Sequence, residues 1–366
     1  MGFTCGLVGL PNTGKSTIFG ALTRTKAQSG NYAFTTIEPN NGIVPVPDKR
    51  MDTITQYVKT KKVVLTTMEF IDIAGLIKGA SKGEGLGNKF LGHIREVDAI
   101  AHVVRCFEDS NIPHVSDIID PVSDISTINT ELMIADLESL DRRKTKIVKL
   151  ARSGDKEALM QMEVLNKLSE ALNQNQPARS ITDFNDEQKE YLKSLTLLSA
   201  KPVLYICNVM DPGDTENELV QKVKKIAKED GSSVVALAAK IEGEIMEIED
   251  PEERKMFMEE MGLTQTGLDL MISAGYGLLD LATYFTAGEQ ENRAWTIPRN
   301  ATAPQAAGVI HTDFEKGFIR AEVYSLEDLV KYESEGAIKD AGKLRVEGKE
   351  YVVKDGDIMH FRFNVK

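Results

Sequence analysis

The segment GLPNTGKS at residues 9–16 has the spacing GxxxxGK followed by Ser, which suits the binding of phosphate groups. Its glycines allow backbone N–H groups to wrap around phosphates, and the positive end of the following helix adds to the attraction. Lys15 would reach the β- and γ-phosphates, and the Ser16 hydroxyl would bind Mg²⁺. We therefore predict a site for a Mg²⁺–nucleoside triphosphate, formed by Asn12, Thr13, Gly14, Lys15, Ser16 and Thr17.

A second group of residues that suits γ-phosphate chemistry follows an apolar, strand-like run. Asp72 can hold Mg²⁺ through water, and the Gly75 N–H can meet the γ-phosphate. Thr36, which we favour over Thr35, would supply a second hydroxyl to Mg²⁺. Residues 79–87 contain four glycines, which suits a segment that orders around a γ-phosphate, with an ordinary flexible surface loop as the alternative.

The segment NVMD at residues 208–211 follows another apolar run, where P-loop GTPases read the base with Asn-Lys-x-Asp. Asn208 can brace this loop, and the Asp211 carboxylate can accept hydrogen bonds from a base edge. Val209 stands in place of the usual lysine, and main-chain N–H groups of residues 238–240 are expected to back the base. We therefore expect Asn208, Val209 and Asp211 to contact the nucleotide.

The elements that must position these residues are short runs that are apolar at nearly every position. They lie at residues 3–9, 68–73, 99–107, 202–207 and 233–238. Such runs predict a mainly parallel sheet that is covered on both faces. Helical patterns lie between the runs, so we predict a doubly wound α/β class.

One spacing departs from this pattern. About ninety residues separate the third and fourth runs, far more than one crossover helix needs. Apolar residues recur at helical spacing on both sides of Ser153-Gly154, which predicts an inserted, coiled-coil-like helical hairpin. The tail combines short strand candidates with one helix, which predicts a small α+β module.

Composition limits the classes of function. The chain of 366 residues is long enough for two or three domains, and its net charge of −12 argues against binding to nucleic acid by global electrostatics. The three cysteines lack CxxC spacing and lie in apolar runs, so we expect reduced, buried thiols and a cytoplasmic location. No apolar run approaches the length of a membrane span, so we expect no membrane partner.

A local basic patch is nevertheless present. Residues 142–152 include six basic residues and no acidic ones: Arg142, Arg143, Lys144, Lys146, Lys149 and Arg152. They lie toward the far tip of the predicted hairpin, where they suit contact with an RNA phosphate backbone. The alternative is a solvated helix face.

Several long segments together resemble the YchF family, also called Obg-like ATPases, in the Obg branch of P-loop proteins. They are GLVGLPNTGKST, NYAFTTIEPN, DIAGLIKGASKGEGLGNKFL and HVVRCFED. The tail WTIPRNATAPQAAGVIHTDFEKGFIRAEV resembles a TGS domain, a β-grasp module. The resemblance covers essentially the whole chain.

The resemblance implies a Ras-like P-loop G domain that is interrupted by a coiled-coil arm and followed by a TGS module. The expected division is G domain at 1–125, helical insertion at 126–198, G domain at 199–277 and TGS-like domain at 278–366. It also implies ATP preferred over or comparable to GTP, association with ribosomes and rRNA through the arm tip and TGS domain, and a role in translation or stress regulation.

Two residues depart from the family pattern. Family members tend to carry Glu where this chain has Asp211, and Asp is what GTPases use to accept from guanine N1–H and N2–H₂. Val209 lacks the long aliphatic chain with which lysine packs along guanine. Asp211 therefore favours guanine, whereas Val209 does not. Asn300 stands in a turn where we expect Gly, and Asn tolerates the left-handed conformation such a turn needs.

The position where Ras-like proteins carry a water-orienting Gln is Leu76, which cannot hydrogen-bond to water. Lys15 is expected to contribute to catalysis in any case. Three groups are candidates to replace the missing glutamine. Asn12 would help coordinate an activating K⁺, or His114, which the resemblance supports, would reach the γ-phosphate. A partner would otherwise supply the group in trans. An ordinary loop histidine is the alternative for His114, and we expect His102 to be a satisfied core residue.

Three classes of function therefore remain open. The first, which we adopt, is a P-loop ATPase that needs Mg²⁺ and docks on the ribosome. The second is a GTPase of the same architecture. The third is an RNA-binding protein that uses nucleotide only as a structural ligand, which would bind nucleotide without turning it over.

Overall fold

The computed structural model describes residues 3–28, 41–73, 86–113 and 118–364. Contacts divide the chain into two compact units. The first unit comprises Met1–Val44 and Glu69–Leu278, and the second comprises Pro45–Met68 and Leu279–Lys366. The predicted class, an α/β protein with a mainly parallel sheet and a separate C-terminal domain, is confirmed.

The first unit is built on a six-stranded sheet with the order β2-β4-β1-β5-β6-β7. Its strands are β1 (Phe3–Val8), β2 (Asn41–Pro45), β4 (Thr67–Asp72), β5 (Ala99–Arg105), β6 (Val203–Asn208) and β7 (Ser233–Leu237), and β3 (Val63–Val64) belongs to the second unit. The pairs β1–β5, β5–β6 and β6–β7 are parallel. Every residue of β5 and β6 is buried, as the mainly apolar sequence of these strands predicts.

Helices cover the sheet and form the predicted hairpin. Those of the first unit are α1 (Lys15–Gln28), α3 (Leu86–Glu96), α4 (Pro121–Arg152), α5 (Lys156–Asn173), α6 (Asp186–Leu195), α7 (Glu218–Asp230), α8 (Ala239–Glu247), α9 (Pro251–Glu260) and α10 (Gly267–Leu278). The hairpin is α4 and α5, joined where Gly154 adopts a φ of 86° and Asp155 caps α5. Leu140, Leu165 and Leu168 form its buried seam.

The second unit has its own mixed sheet, with the order β11-β10-β12-β8-β9-β3. Its further strands are β8 (Leu281–Thr286), β9 (Asn292–Pro298), β10 (Phe318–Tyr324), β11 (Arg345–Glu347) and β12 (Ile358–Phe363). Its helices are α2 (Lys49–Tyr57), α11 (Ala303–Ile310), α12 (Thr312–Lys316), α13 (Leu326–Tyr332) and α14 (Glu335–Asp340). Thr302 and Val352 form an isolated antiparallel bridge outside these strands.

Residues 45–68 pack with the C-terminal sheet, although the sequence division places them in the first part of the G domain. Met51 and Ile54 of α2 join Phe285 in one buried cluster, and β3 pairs with β9. These contacts join segments more than two hundred residues apart, which local patterns do not reveal. Asn300 has a φ of 70°, the left-handed conformation expected there. In the described part of the chain, no helix is both long and apolar enough to cross a membrane.

Candidate nucleotide-binding site

Four loops meet at one edge of the first sheet. Because β1, β5, β6 and β7 run in the same direction, their carboxyl ends lie together. The loops that leave these ends hold residues 9–14, 106–113, 209–217 and 238. Ligands of open α/β sheets bind outside the carboxyl ends of the strands, so this edge is where a ligand is expected.

The loop after β1 has a backbone that only particular residues can adopt. Gly14 has a φ of 94°, and a Cβ atom there would collide with Nδ2 of Asn208. A Cβ atom on Gly9 would lie 2.9 Å from the Val103 carbonyl oxygen. Asn12 also has a positive φ, 64°, which Asn tolerates better than most residues. Both glycines are therefore needed for the loop to turn tightly onto the sheet.

Lys15 begins α1, and its ammonium group donates a hydrogen bond to Oδ1 of Asp72, the last residue of β4. The two side chains form an ion pair and are 12% and 21% exposed. Ser16 and Thr17 follow in the first turn of α1 and are exposed. The first N–H groups of a helix lack intrahelical acceptors, so this end of α1 attracts anions. A cation, a carboxylate and hydroxyl groups thus share the place where the phosphates are predicted.

Asn208 connects three of the loops. Its Nδ2 donates to the Thr13 carbonyl at 2.9 Å, and its Oδ1 accepts from the Ala239 N–H at 3.0 Å. The side chain is 5% exposed, and Thr13 is also buried, with Oγ1 donating to the Leu10 carbonyl. The phosphate-binding loop is therefore held to the ends of β6 and β7 by one buried carboxamide.

A cavity of about 320 Å³ lies beside this carboxamide. Its lining consists of Asn12, Gly14, Thr17, Phe107, Asp109, Ile112, Asn208, Val209, Met210, Ala239 and Lys240. Asp211 is not among these residues: it is exposed, and it precedes the 3₁₀ turn Pro212–Asp214 with its carbonyl accepting from the Asp214 N–H. The cavity thus lies between the phosphate-binding loop and the loops after β5, β6 and β7.

The sequence predicts one site residue in the loop after β5, His114, but it does not predict the part of this loop that lines the cavity. Phe107, Asp109 and Ile112 line the cavity, and the Pro113 carbonyl accepts a hydrogen bond of 3.1 Å from Nδ2 of Asn12. The available signal is Arg105, a charged residue at the end of the apolar strand AIAHVVR. Charged residues are rarely buried without a partner, so a charge at the end of a buried strand indicates polar interactions at that end.

The buried titratable groups near the sheet suit a core and not a reaction. Burial lowers the pKa of His102 to about 3, and its Nε2 has no hydrogen-bond partner in the described part of the chain. His102 is thus a core residue as predicted, but it is not fully satisfied. Burial also raises the pKa of the Cys5 thiol to about 12. Cys5, Cys106 and Cys207 are all free and buried, as expected.

Some predicted site residues lie outside the described residues: Thr36, Gly75, Leu76, His114 and residues 79–85. The structure brings together Asn12, Thr13, Gly14, Lys15, Ser16, Thr17, Asp72, Asn208 and Val209 at one edge of the sheet. Within the described ranges, no group of three or more His, Cys, Asp or Glu side chains could hold a metal ion.

Comparison with known proteins finds relatives along the whole chain. A family model described as 50S ribosome-binding GTPase matches residues 4–167, and the model YchF-GTPase_C, described as a protein of unknown function, matches residues 281–364. The ribosome-binding ATPase YchF of Bacillus subtilis (strain 168) is 55% identical over 370 residues, and that of Escherichia coli O157:H7 is 54% identical over 365 residues. Each match covers 100% of both chains.

A solved structure is similar over nearly the same length. The YchF GTPase of Schizosaccharomyces pombe is 39% identical, with a TM-score of 0.88. The match covers 98% of this chain and 97% of that one.

Proposed function

The chain belongs to the YchF family, and from this we propose that it is a Mg²⁺-dependent P-loop ATPase that binds the ribosome and acts as a switch in translation or stress responses, in the cytoplasm. The observation that carries the proposal is the site at the carboxyl edge of the sheet. There the Lys15–Asp72 pair lies at the start of α1. The buried Asn208 binds the phosphate-binding loop and also lines the cavity beside it. Relatives at 55% and 54% identity are named ribosome-binding ATPases, which supports both activities.

The residues present fit Mg²⁺. This ion prefers oxygen ligands and usually keeps several waters, with one or two carboxylates and the substrate phosphates completing its shell. Asp72, the ion-pair partner of Lys15, offers one carboxylate, and Ser16, the next residue after Lys15, offers an exposed hydroxyl. Thr36 is the proposed second hydroxyl. Mg²⁺ held by these residues would neutralise the negative charge that develops on the phosphates. The residues of the chain would bind and orient the phosphates, with Lys15 as the main cation.

The attacking water needs a group to orient it, because Leu76 offers no hydrogen bond. We propose His114 for this role, with K⁺ as an activator near Asn12. The support for Asn12 is its place at the edge of the cavity, where its Nδ2 donates to the Pro113 carbonyl. Its carboxamide oxygen is then the atom that would ligate K⁺. His114 follows Pro113 directly in the chain.

For the base, we propose that ATP binds at least as well as GTP. Guanine-specific sites use a carboxylate that accepts from N1–H and N2–H₂, whereas adenine carries an acceptor at N1. The exposure of Asp211 and its absence from the lining of the cavity support a base that is read by main-chain groups of the loop. A GTPase of the same architecture is the second candidate, since Asp211 is the residue that GTPases use.

For the ribosome, we propose contact through the basic residues near the end of α4 and through the C-terminal unit, as a TGS domain. Arg142, Arg143 and Lys146 line a groove of about 840 Å³ together with residues of α5 and α6. Cations that converge on a groove suit the phosphate backbone of rRNA, and such binding weakens with salt.

Turnover of ATP by the purified protein tests the proposal, with Lys15→Ala as the matched control. Intrinsic turnover should be slow, roughly 10⁻⁴–10⁻³ s⁻¹, as in switch NTPases without their activator. Lys15→Ala should abolish phosphate binding and leave the melting temperature nearly unchanged, because Lys15 reaches the site and not the core. Binding without turnover, even with K⁺ and ribosomes, would instead support an RNA-binding protein with a structural nucleotide.

A further inference from the structure

Arg105, the last residue of β5, is buried beside the cavity, and the phosphate chemistry proposed above gives it no task. Its side chain is 1% exposed, and it is one of the largest fully buried side chains in the described part of the chain. Its neighbours in β5 are apolar, so the charge interrupts a hydrophobic strand. A guanidinium group remains charged at any pH a protein meets. Its burial therefore destabilises the folded state unless its N–H groups form hydrogen bonds.

All the hydrogen bonds that the structure gives Arg105 go to carbonyls of the loop that follows it. Nε donates to the Phe107 carbonyl at 3.2 Å, Nη1 to the Ile112 carbonyl at 3.0 Å and Nη2 to the Asp109 carbonyl at 3.1 Å. The guanidinium carbon also lies 4.6 Å from the centroid of the Phe107 ring. The loop is thus folded around the guanidinium group, which fixes it at three separate points.

In the part of the chain that the structure describes, the charge of Arg105 has no carboxylate partner. Among the described residues, no Asp or Glu oxygen lies within ion-pair distance of its nitrogens. Neutral carbonyls and one aromatic ring compensate a buried cation less well than a carboxylate does, and an apolar side chain of similar volume would stabilise the core better. A charged residue at a buried strand position, where an apolar side chain is expected, tends to lie at a functional site.

The loop that Arg105 holds forms part of the cavity. The three residues whose carbonyls it binds, Phe107, Asp109 and Ile112, are the residues of this loop that line the cavity. A second clamp is independent of Arg105: the Asp109 carboxylate accepts from the Asn111 N–H at 2.8 Å and from Asn111 Nδ2 at 3.1 Å. The turn at Asp109 is therefore fixed from the inside by Arg105 and from the outside by exposed Asn111.

We propose that Arg105 is a positioning residue for nucleotide affinity: it holds residues 107–112 as a preformed wall of the cavity. The proposal rests on the ATP-binding function proposed above. When the loop is already ordered, ligand binding does not have to reduce its conformational entropy. The affinity for the ligand is therefore higher. The planar fork of Arg reaches three carbonyls in fixed directions, whereas the ammonium of Lys is a point charge on a flexible stem. The charge alone is therefore not sufficient.

Steady-state kinetics of ATP hydrolysis in Arg105→Lys and Arg105→Gln, with Asn111→Ala as a surface variant, tests the proposal. The control is Val104→Ala, which removes core volume from the neighbouring position of β5, in a buried cluster that contains none of Phe107, Asp109 and Ile112. We expect KM for ATP to rise about tenfold in both Arg105 variants and about threefold in Asn111→Ala, because the lost preorganisation weakens binding before the reaction. Turnover at saturating ATP should stay within about twofold of the wild type in all of them.

Melting temperatures separate this effect from general destabilisation. In Val104→Ala the melting temperature should fall while KM stays at the wild-type value. A KM within about twofold of the wild type in folded Arg105 variants would overturn the proposal, as would a rise in Val104→Ala as large as theirs. If Arg105→Gln does not fold, Arg105→Lys decides, because it keeps the charge but not the three directed hydrogen bonds: a raised KM supports the proposal, and a KM within about twofold of the wild type overturns it. A wild type without ATP turnover would defeat the proposed function itself, which is a different result from variants that match an active wild type.

Discussion

Replacing Asp72 by Asn should change nucleotide affinity in opposite directions with and without Mg²⁺. Asp72 accepts a hydrogen bond from Lys15, so the lysine must leave this carboxylate before it can bind phosphates. The ion pair is partly exposed, and pairs of that kind contribute about 1 kcal/mol. Removing the carboxylate frees Lys15 and removes a negative charge beside the phosphates. We therefore expect ATP without Mg²⁺ to bind about fivefold more tightly to Asp72→Asn than to the wild type.

With Mg²⁺ present the sign reverses. The wild-type carboxylate would hold the ion through water, an interaction of the charge-assisted kind that contributes about 1.5–3 kcal/mol. Asn cannot replace that charge, so the tightening of ATP binding by Mg²⁺ should shrink by about tenfold or more in the variant.

Titration calorimetry with a non-hydrolysable ATP analogue, in EDTA and in excess Mg²⁺, measures both effects. Asp98→Asn is a matched control, because Asp98 is a carboxylate of the same unit whose partner is Thr4. The reasoning is refuted if Asp72→Asn weakens binding in EDTA, or if the ratio of the two affinities equals that of the wild type.

Three further predictions concern other parts of the first unit. Exchange of Na⁺ for K⁺ should speed ATP turnover in the wild type but not in Asn12→Ala; a cation effect that survives the substitution would remove Asn12 from the mechanism. Neutralising Arg142, Arg143 and Lys144 together should weaken co-sedimentation with ribosomes and flatten its salt dependence, with turnover little altered; unchanged co-sedimentation would make these residues a solvated face. His102 has a folded pKa of about 3 against an ordinary 6.5, so the unfolded chain binds more protons between these pH values and stability falls as pH drops below 6.5. Urea unfolding should show that the free energy of unfolding falls by roughly 1.4 kcal/mol for each unit by which the pH is lowered in that range. His102→Gln should lack this slope if the histidine is its cause.

The phosphate side of the site could be predicted from the sequence because its requirements are local. Gly14 and Lys15 lie within one short motif, and the backbone φ of Gly14 and the place of Lys15 at the start of α1 follow from that motif. The strands can be predicted in the same way, since β5 and β6 are buried and most of their residues are apolar. Such features need no knowledge of distant partners.

The rest depends on contacts between distant segments. Arg105 stands out in sequence only as a charge at the end of a strand, and its three carbonyl partners become visible only when the loop is folded. In the same way, α2 and β3 join the second unit through Phe285 and β9, which lie more than two hundred residues away. Hydrophobic periodicity predicts that a helix is buried on one face, but it does not say which sheet will cover that face.

The base that the site accepts decides whether the protein acts as an ATPase, and side-by-side binding of ATP and GTP to the purified protein measures that choice. We predict that ATP binds at least as tightly as GTP, and that Asp211→Asn leaves ATP affinity nearly unchanged because Asp211 does not line the cavity. Two charge-assisted hydrogen bonds from guanine to Asp211 would instead contribute on the order of 1–3 kcal/mol each. A preference of the wild type for GTP, with a sharp loss of GTP affinity in Asp211→Asn, would rule out an ATPase and make the protein a GTPase.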